Sequence, residues 1–159
     1  MLNNSDKESK NRKEIFLKAF NLAKTPIILS LFVTPIRFLL ELAGLPVNVI
    51  FIIGLLWLTL AFAVYWGIKL FNKKQPYLLL LFSLIIFSPI SRLTVVVAWW
   101  IDTRWEIGTH YSQIHDSFTQ AAFQQVVFGS LIQIIPGFLL GLLTIIIMQY
   151  RKPATRKTI

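Results

Sequence analysis

Four long apolar stretches alternate with short polar segments along the chain. They cover residues 25–42, 47–68, 76–100 and 126–150. A helix needs about 20 residues to cross a hydrocarbon core about 30 Å thick, so each stretch is long enough, or nearly so, to span a membrane. The pattern predicts an all-α integral membrane protein with four transmembrane helices. The first span is the shortest, and a re-entrant segment is the alternative for it.

A polar segment and an amphipathic segment precede the first span. Residues 1–13 are almost wholly polar, which is typical of a mobile tail. Between Lys13 and Lys24, apolar residues recur at steps of three and four, with polar residues between them. This period predicts a cytoplasmic amphipathic N-terminal helix that lies on the membrane surface, or else a helical extension of the first span.

The remaining segments are an outer loop and a C-terminal tail. The outer loop covers residues 101–125, and we expect it to be partly helical because its last part, residues 117–125, mixes apolar and polar positions. Gly108 is expected to end any helix that continues out of the third span. Residues 14–150 then form one four-helix domain, followed by a basic cytoplasmic tail at residues 151–159.

The composition agrees with a membrane protein. Of the 159 residues, 55% are hydrophobic and 14% are charged, and the mean hydropathy is +0.65. A soluble domain carries about 25% charged residues, so the chain is neither a soluble globular domain nor a disordered one. A disulfide-rich module is excluded because the chain has no cysteine.

The net charge of +9 is distributed unevenly along the chain. Thirteen of the 16 lysines and arginines precede the first stretch, follow the second or follow the fourth. Four crossings place all of them on one side, which predicts cytoplasmic termini in a plasma membrane, which we expect to be bacterial. We expect these residues to contact anionic headgroups. Nucleic acid is not expected, because the sequence lacks a basic stripe with stacking aromatic residues.

Aromatic residues cluster near both predicted membrane boundaries. The inner group is Tyr65, Trp66, Tyr77 and Tyr150, and the outer group is Trp99, Trp100, Trp105 and Tyr111. Amphipathic rings favour headgroup depth, so we expect two interfacial belts. Trp57 lies in mid-span, and we expect it to pack inside the bundle.

Three charged residues lie inside the predicted spans, all in the outer half. Arg37 and Glu41 are four residues apart on the first span, so they share a helix face and can pair. Arg92 lies roughly 12 Å below the outer boundary on the third span. A continued third helix would carry Asp102 and Glu106, with Glu106 about 40° from Arg92 around the helix axis.

Such charges cost a few kcal/mol unless they are paired or hydrated, and two interpretations follow. In the first, they form a structural polar network, and Arg92 pairs with Asp102, Glu106 or a headgroup phosphate. In the second, they line an outward-facing polar pocket that binds an anionic lipid, a small solute or a partner helix. The binding residues would be Arg37, Glu41, Arg92, Asp102 and Glu106.

The outer loop also offers groups for catalysis. His110 and His115 lie there with Asp116 and Asp102, so an enzyme that acts on a lipid-borne substrate at the outer interface is an alternative function. We favour a non-enzymatic role, because phosphate-loop, zinc-protease and serine-nucleophile motifs are absent from the sequence. The histidines are five residues apart, about 140° on a helix, so we expect no metal and no cofactor.

The fourth span carries a pair of glycines at small-xxx-small spacing. Gly137 and Gly141 allow close helix approach, which serves packing within the chain or a face for a homodimer or another membrane partner. A third possible function is therefore a non-catalytic assembly subunit of a membrane complex.

Overall fold

The computed structural model describes residues 4–50 and 52–151, with side chains from residue 10 onward. All regular structure within these ranges is helical. The helices are α1 (Asn4–Leu42), α2 (Val47–Ile50), α3 (Leu55–Leu70), α4 (Pro76–Arg104), α5 (Phe118–Phe123) and α6 (Ser130–Arg151), and a π-helical segment (Gln124–Gly129) joins the last two. Four helical stretches are long and apolar enough to cross a membrane, and they confirm the predicted all-α fold with four candidate spans.

Helix α1 is longer than the first predicted span. It has 39 residues, or about 58 Å at 1.5 Å per residue, and contains Pro26 and Pro35. The residues between Lys13 and Lys24 extend the span, as the second interpretation held, rather than form a separate helix. Helix α1 already begins at Asn4, so the part of the polar tail that the structure describes is helical; residues 1–3 lie outside the described residues.

The second span is not one continuous helix. Residues 52–54 are non-helical and separate α2 from α3, because Gly54 has an extended backbone at the start of α3. Helix α3 alone has 16 residues, about 24 Å. The predicted second span at residues 47–68 is therefore confirmed as a candidate span, but it is interrupted near its start.

The bundle is built on two main helix pairs, α1 with α4 and α3 with α6, and α4 also contacts α6. One hydrophobic core, around Trp66, Leu80 and Phe87, lies towards the end that bears the α3–α4 connection and Arg151. We call this end the basic end. A second core, around Leu55, Trp99 and Tyr111, lies towards the opposite end, which bears the loop 105–117 and is called the loop end.

Glycines allow the close approach of α6 to its neighbours. A Cβ at Gly67 would lie 2.6 Å from the Thr144 Cβ, and one at Gly141 would lie 2.7 Å from a Leu80 methyl group. Gly137 faces Thr59 in the same way, at 3.1 Å. These glycines therefore serve packing within the chain, and a homodimer through Gly137 and Gly141 stays a prediction that this packing disfavours.

The aromatic residues differ from the sequence-based expectation in part. Trp57 is 60% exposed, so the prediction that it packs inside the bundle is wrong. Trp66, Trp99 and Tyr111 are almost fully buried and belong to the two cores instead of an interfacial belt. Five other rings are exposed near the two ends, as predicted: Tyr65, Tyr77, Trp100, Trp105 and Tyr150.

Candidate functional site

The pairing of α1 with α4 brings together the charged residues within the predicted spans, at the loop end. The hydroxyl groups of Thr34 and Thr94 are 2.6 Å apart, which fixes the register of the two helices one turn from the charges. Arg37 lies close enough to Arg92 for their like charges to repel. The predicted proximity of these two arginines is therefore found at the loop end.

Glu41 is held by a loop residue that the spacing along α1 does not reveal. Its Oε1 accepts a hydrogen bond of 2.6 Å from the backbone N–H of His110, and its Oε2 contacts His110 Nδ1. The loop folds back over α1 to make this contact, across 69 residues of sequence. The predicted pairing of Glu41 with Arg37 stays a prediction, while the Glu41–His110 pair is new.

Tyr111 packs next to this pair, in the core of the loop end. It is 2% exposed, and its ring centroid is 5.9 Å from that of Phe38. Burial raises the pKa of the Tyr111 hydroxyl above its usual 10.0; the charge of Arg37 opposes this shift, and the charge of Glu41 adds a smaller increase. The hydroxyl is therefore neutral near pH 7, and it has no hydrogen-bond partner in the part of the chain that is described.

Asp102 forms hydrogen bonds with the loop and not with Arg92. Its side chain is fully buried and accepts hydrogen bonds from the Thr109 N–H at 3.0 Å, the Thr109 hydroxyl at 2.6 Å and the Ser112 N–H at 2.8 Å. All described hydrogen bonds to this carboxylate therefore come from the turn at residues 109–112. Asp102 makes no described contact with Arg92, and its predicted part in ligand binding or catalysis stays a prediction.

Glu106 and Asp116 lie away from the cluster. Helix α4 ends at Arg104, where the Trp105 N–H bonds to the Ile101 carbonyl, and Glu106 has a left-handed backbone with φ 49°. Both acids are exposed. The prediction that the third helix continues through Glu106, at about 40° from Arg92 around the helix axis, is therefore wrong. Asp116 makes no described contact with either histidine ring.

The π-helical segment faces Arg92. Gln125 Oε1 accepts a hydrogen bond of 3.3 Å from Arg92 Nη1, and Gln125 Nε2 is 3.2 Å from His115 Nε2. A Cβ at Gly129 would lie 3.1 Å from both Cδ and Nε of Arg92, so a glycine there leaves room for the guanidinium group. π-Helical turns are frequent at functional sites.

Beside Arg92 lies a cleft of about 350 Å³, with walls of two kinds. Arg92, His115 and Gln125 form the polar wall, and Phe128 and Ile132 form an apolar one. The described residues place no carboxylate within ion-pair distance of Arg92, and they leave its Nε and the Nδ1 of His115 without hydrogen bonds.

A buried polar seam continues from Arg92 into the bundle. The Ser91 hydroxyl donates to Gln133 Oε1 at 3.2 Å, and the Gln133 side chain is fully buried. Ser88 and Ser130 add buried hydroxyl groups on α4 and α6. The seam provides further donors and acceptors next to the cleft.

Chemically, the site is suited to binding an anion. Arginine matches carboxylate and phosphate groups with paired donors, and the two arginines oppose one carboxylate that already contacts His110. Among the side chains that the structure describes, at residues 10–50 and 52–151, three or more His, Asp or Glu residues nowhere gather in a metal-binding arrangement. Gln125 and Gly129 were missed from the sequence; the only signal was a glutamine pair just ahead of an apolar run.

The four apolar helices and this polar cluster are compatible with a multi-pass helical membrane bundle. Comparison of the chain with protein-family models, with curated proteins and with solved structures gave no match. The functional argument therefore rests on the site itself.

Proposed function

We propose that the chain is a small multi-pass membrane protein whose loop end faces outward and holds a pocket for an anionic group. The basic end faces the cytoplasm in this arrangement, in accordance with the positive-inside rule. The occupant is an anionic lipid, a small anionic solute or an acidic residue of a partner helix. All three carry the same chemistry, a phosphate or carboxylate group.

The observation that carries the proposal is the position of Arg92. Arg92 lines an open cleft, and its guanidinium group makes one described hydrogen bond, to the neutral amide of Gln125. Arg37 adds a second positive charge nearby. A cation below the membrane surface costs a few kcal/mol unless it is hydrated or paired, so an anion in the cleft stabilises the protein.

The test measures whether an anionic amphiphile stabilises the full-length chain in a neutral detergent. Dodecyl phosphate should raise the unfolding temperature, whereas dodecyltrimethylammonium should not, because only the former complements Arg92. Arg92→Gln should clearly reduce the rise. Arg104→Gln is the matched control, since Arg104 is an exposed arginine at the end of the same helix.

An absent rise in the wild-type chain, or an equal rise in Arg92→Gln, would refute the proposal. If Arg92→Gln does not fold, Arg92→Lys takes its place, because it keeps the charge but loses the paired donors and should retain a weaker response. Unfolding of both variants, with no response of the wild type, would favour a structural network in an assembly subunit.

The contact between Glu41 and His110 favours an enzyme as the second candidate. A carboxylate on Nδ1 orients an imidazole, which is the arrangement that supports general acid–base catalysis. Phosphatidylglycerol incubated with the chain and then analysed by mass spectrometry distinguishes the two functions. A product that forms with the wild type but not with the His110→Ala/His115→Ala double variant would favour the enzyme.

A further inference from the structure

A second cleft opens at the basic end, between α1 and α3. It consists of two cavities of about 380 and 440 Å³. Both are lined by Asn21, Leu22 and Lys69, so they adjoin each other through a common wall. The cleft exists because α1 packs mainly on α4 and α3 mainly on α6, which leaves the α1–α3 contact sparse.

One half of the cleft is strongly basic. Lys18 comes from α1, Lys69 from the last turn of α3, and Lys73 and Lys74 from the α3–α4 connection. Of these four lysines, only Lys18 pairs with a carboxylate among the described residues, that of Glu14 at 2.6 Å. The positive-inside rule places lysines at this end, but it does not require four of them to line one cavity.

The other half of the cleft is largely apolar and lies farther from the basic end, along α1 and α3. Its walls include Phe62 and Trp66, whose ring centroids are 5.8 Å apart, and Ala61. Phe62 precedes Lys69 by seven residues on α3, which corresponds to about 10 Å along the helix axis. The cleft is therefore charged near the basic end and apolar farther along α3, over the distance at which a lipid changes from headgroup to acyl chain.

We infer that this cleft binds an anionic phospholipid of the leaflet at the basic end. The phosphate lies among Lys69, Lys73 and Lys74, and an acyl chain runs along Leu22 and Phe62. A soluble phosphate would use only the basic half and leave the apolar half unoccupied. The site lies at the opposite end from Arg92, so this inference does not depend on the function proposed for the loop end.

Native mass spectrometry of the full-length chain tests this inference directly. The protein is equilibrated in detergent with equal amounts of phosphatidylglycerol and phosphatidylcholine of the same acyl chains. We expect the phosphatidylglycerol adduct to exceed the phosphatidylcholine adduct about tenfold, since each lysine near a headgroup favours the anionic lipid severalfold. Equal adducts would overturn the inference.

Two double variants separate this cleft from a general effect of positive charge. Lys73→Gln/Lys74→Gln removes two cleft lysines and should lower the adduct ratio about threefold or more. Lys10→Gln/Lys24→Gln removes the same charge from exposed positions on α1 outside the cleft and should leave the ratio within about twofold of the wild type. An equal loss in both variants would show that the lysines act only as a diffuse charge.

The apolar half has a test of its own. Ala61 is exposed, so Ala61→Phe fills that half without crowding the core and should weaken the phosphatidylglycerol adduct. Millimolar glycerol phosphate, which has the headgroup chemistry without acyl chains, should not displace the lipid. An unchanged adduct in Ala61→Phe, or full displacement by glycerol phosphate, would overturn the assignment of a lipid.

Discussion

Asp102 and Glu41 are two carboxylates of the loop end with different surroundings. Asp102 accepts three hydrogen bonds from one turn of the loop and is fully buried. Glu41 contacts the backbone and ring of His110 next to Arg37 and Tyr111. Asp102 therefore fixes the position of the loop, and Glu41 holds His110 against α1.

Asp102→Asn should loosen the loop. The substitution replaces one acceptor oxygen by an N–H₂ group, which would face the donors of Thr109 or Ser112. Hydrogen bonds to a charged group contribute about 1.5–3 kcal/mol, so we expect a loss of about 2 kcal/mol in the free energy of unfolding. Hydrogen exchange at the amides of Thr109 and Ser112 should become faster, and thermal unfolding should report the loss of stability.

Asp116→Asn is the control for this prediction, because Asp116 is an exposed acid of the same loop. Its substitution should change neither exchange at Thr109 nor the unfolding temperature. If Asp102→Asn behaves like the control, the carboxylate does not hold the loop.

The residue pattern predicted part of the site and could not have predicted the rest. The sequence identified Arg37, Glu41 and Arg92, because a charged residue within an apolar stretch can be recognised from the sequence alone. The contact between Glu41 and His110 spans 69 residues, and it depends on where the loop folds. Glu106 was placed wrongly because the prediction extended the helix past Arg104. Helix α4 ends at Arg104, and Glu106 has a left-handed backbone.

At the scale of helices, long apolar stretches were predicted well and interruptions poorly. Residues 76–104 are one helix, close to the predicted third span, and the proline at its start suits the first turn. The break at residues 52–54 occurs within an uncharged apolar run, so hydropathy gives no sign of it beyond Gly54. The π-helical segment likewise depends on packing against α4, which the spacing of apolar residues does not encode.

Gly67→Ala should disturb the contact of α3 with α6. The added Cβ would lie 2.6 Å from the Thr144 Cβ and 3.0 Å from the Gly141 carbonyl oxygen, so the helices must move apart. Overpacking of this kind costs about 1–3 kcal/mol, and thermal unfolding in detergent should show it. Val97→Ile adds a methyl group at an exposed position and should be neutral. Equal stability of the two variants would mean that α3 and α6 do not approach this closely.

At the scale of the whole molecule, the distribution of charge and the four helices together determine the orientation that we propose. Four crossings place the basic residues of α1, the α3–α4 connection and the C-terminal segment on one side. A re-entrant α1 would leave three crossings and separate the N-terminal lysines from Lys73 and Lys74. The continuous 39-residue α1 is long enough to cross, which favours four.

Single cysteines provide a direct test of this orientation, because the chain has no cysteine of its own. Asn11→Cys lies on α1 at the basic end, Asn72→Cys in the α3–α4 connection and Gln113→Cys in the loop, and all three positions are exposed. A membrane-impermeant maleimide should label Gln113→Cys in intact cells but label the other two only after permeabilisation. Labelling of Asn11→Cys together with Gln113→Cys in intact cells would show three crossings. Arg37 and Glu41 would then lie in a re-entrant segment, and Arg92 would be the remaining charged residue of the proposed pocket that lies on a full span.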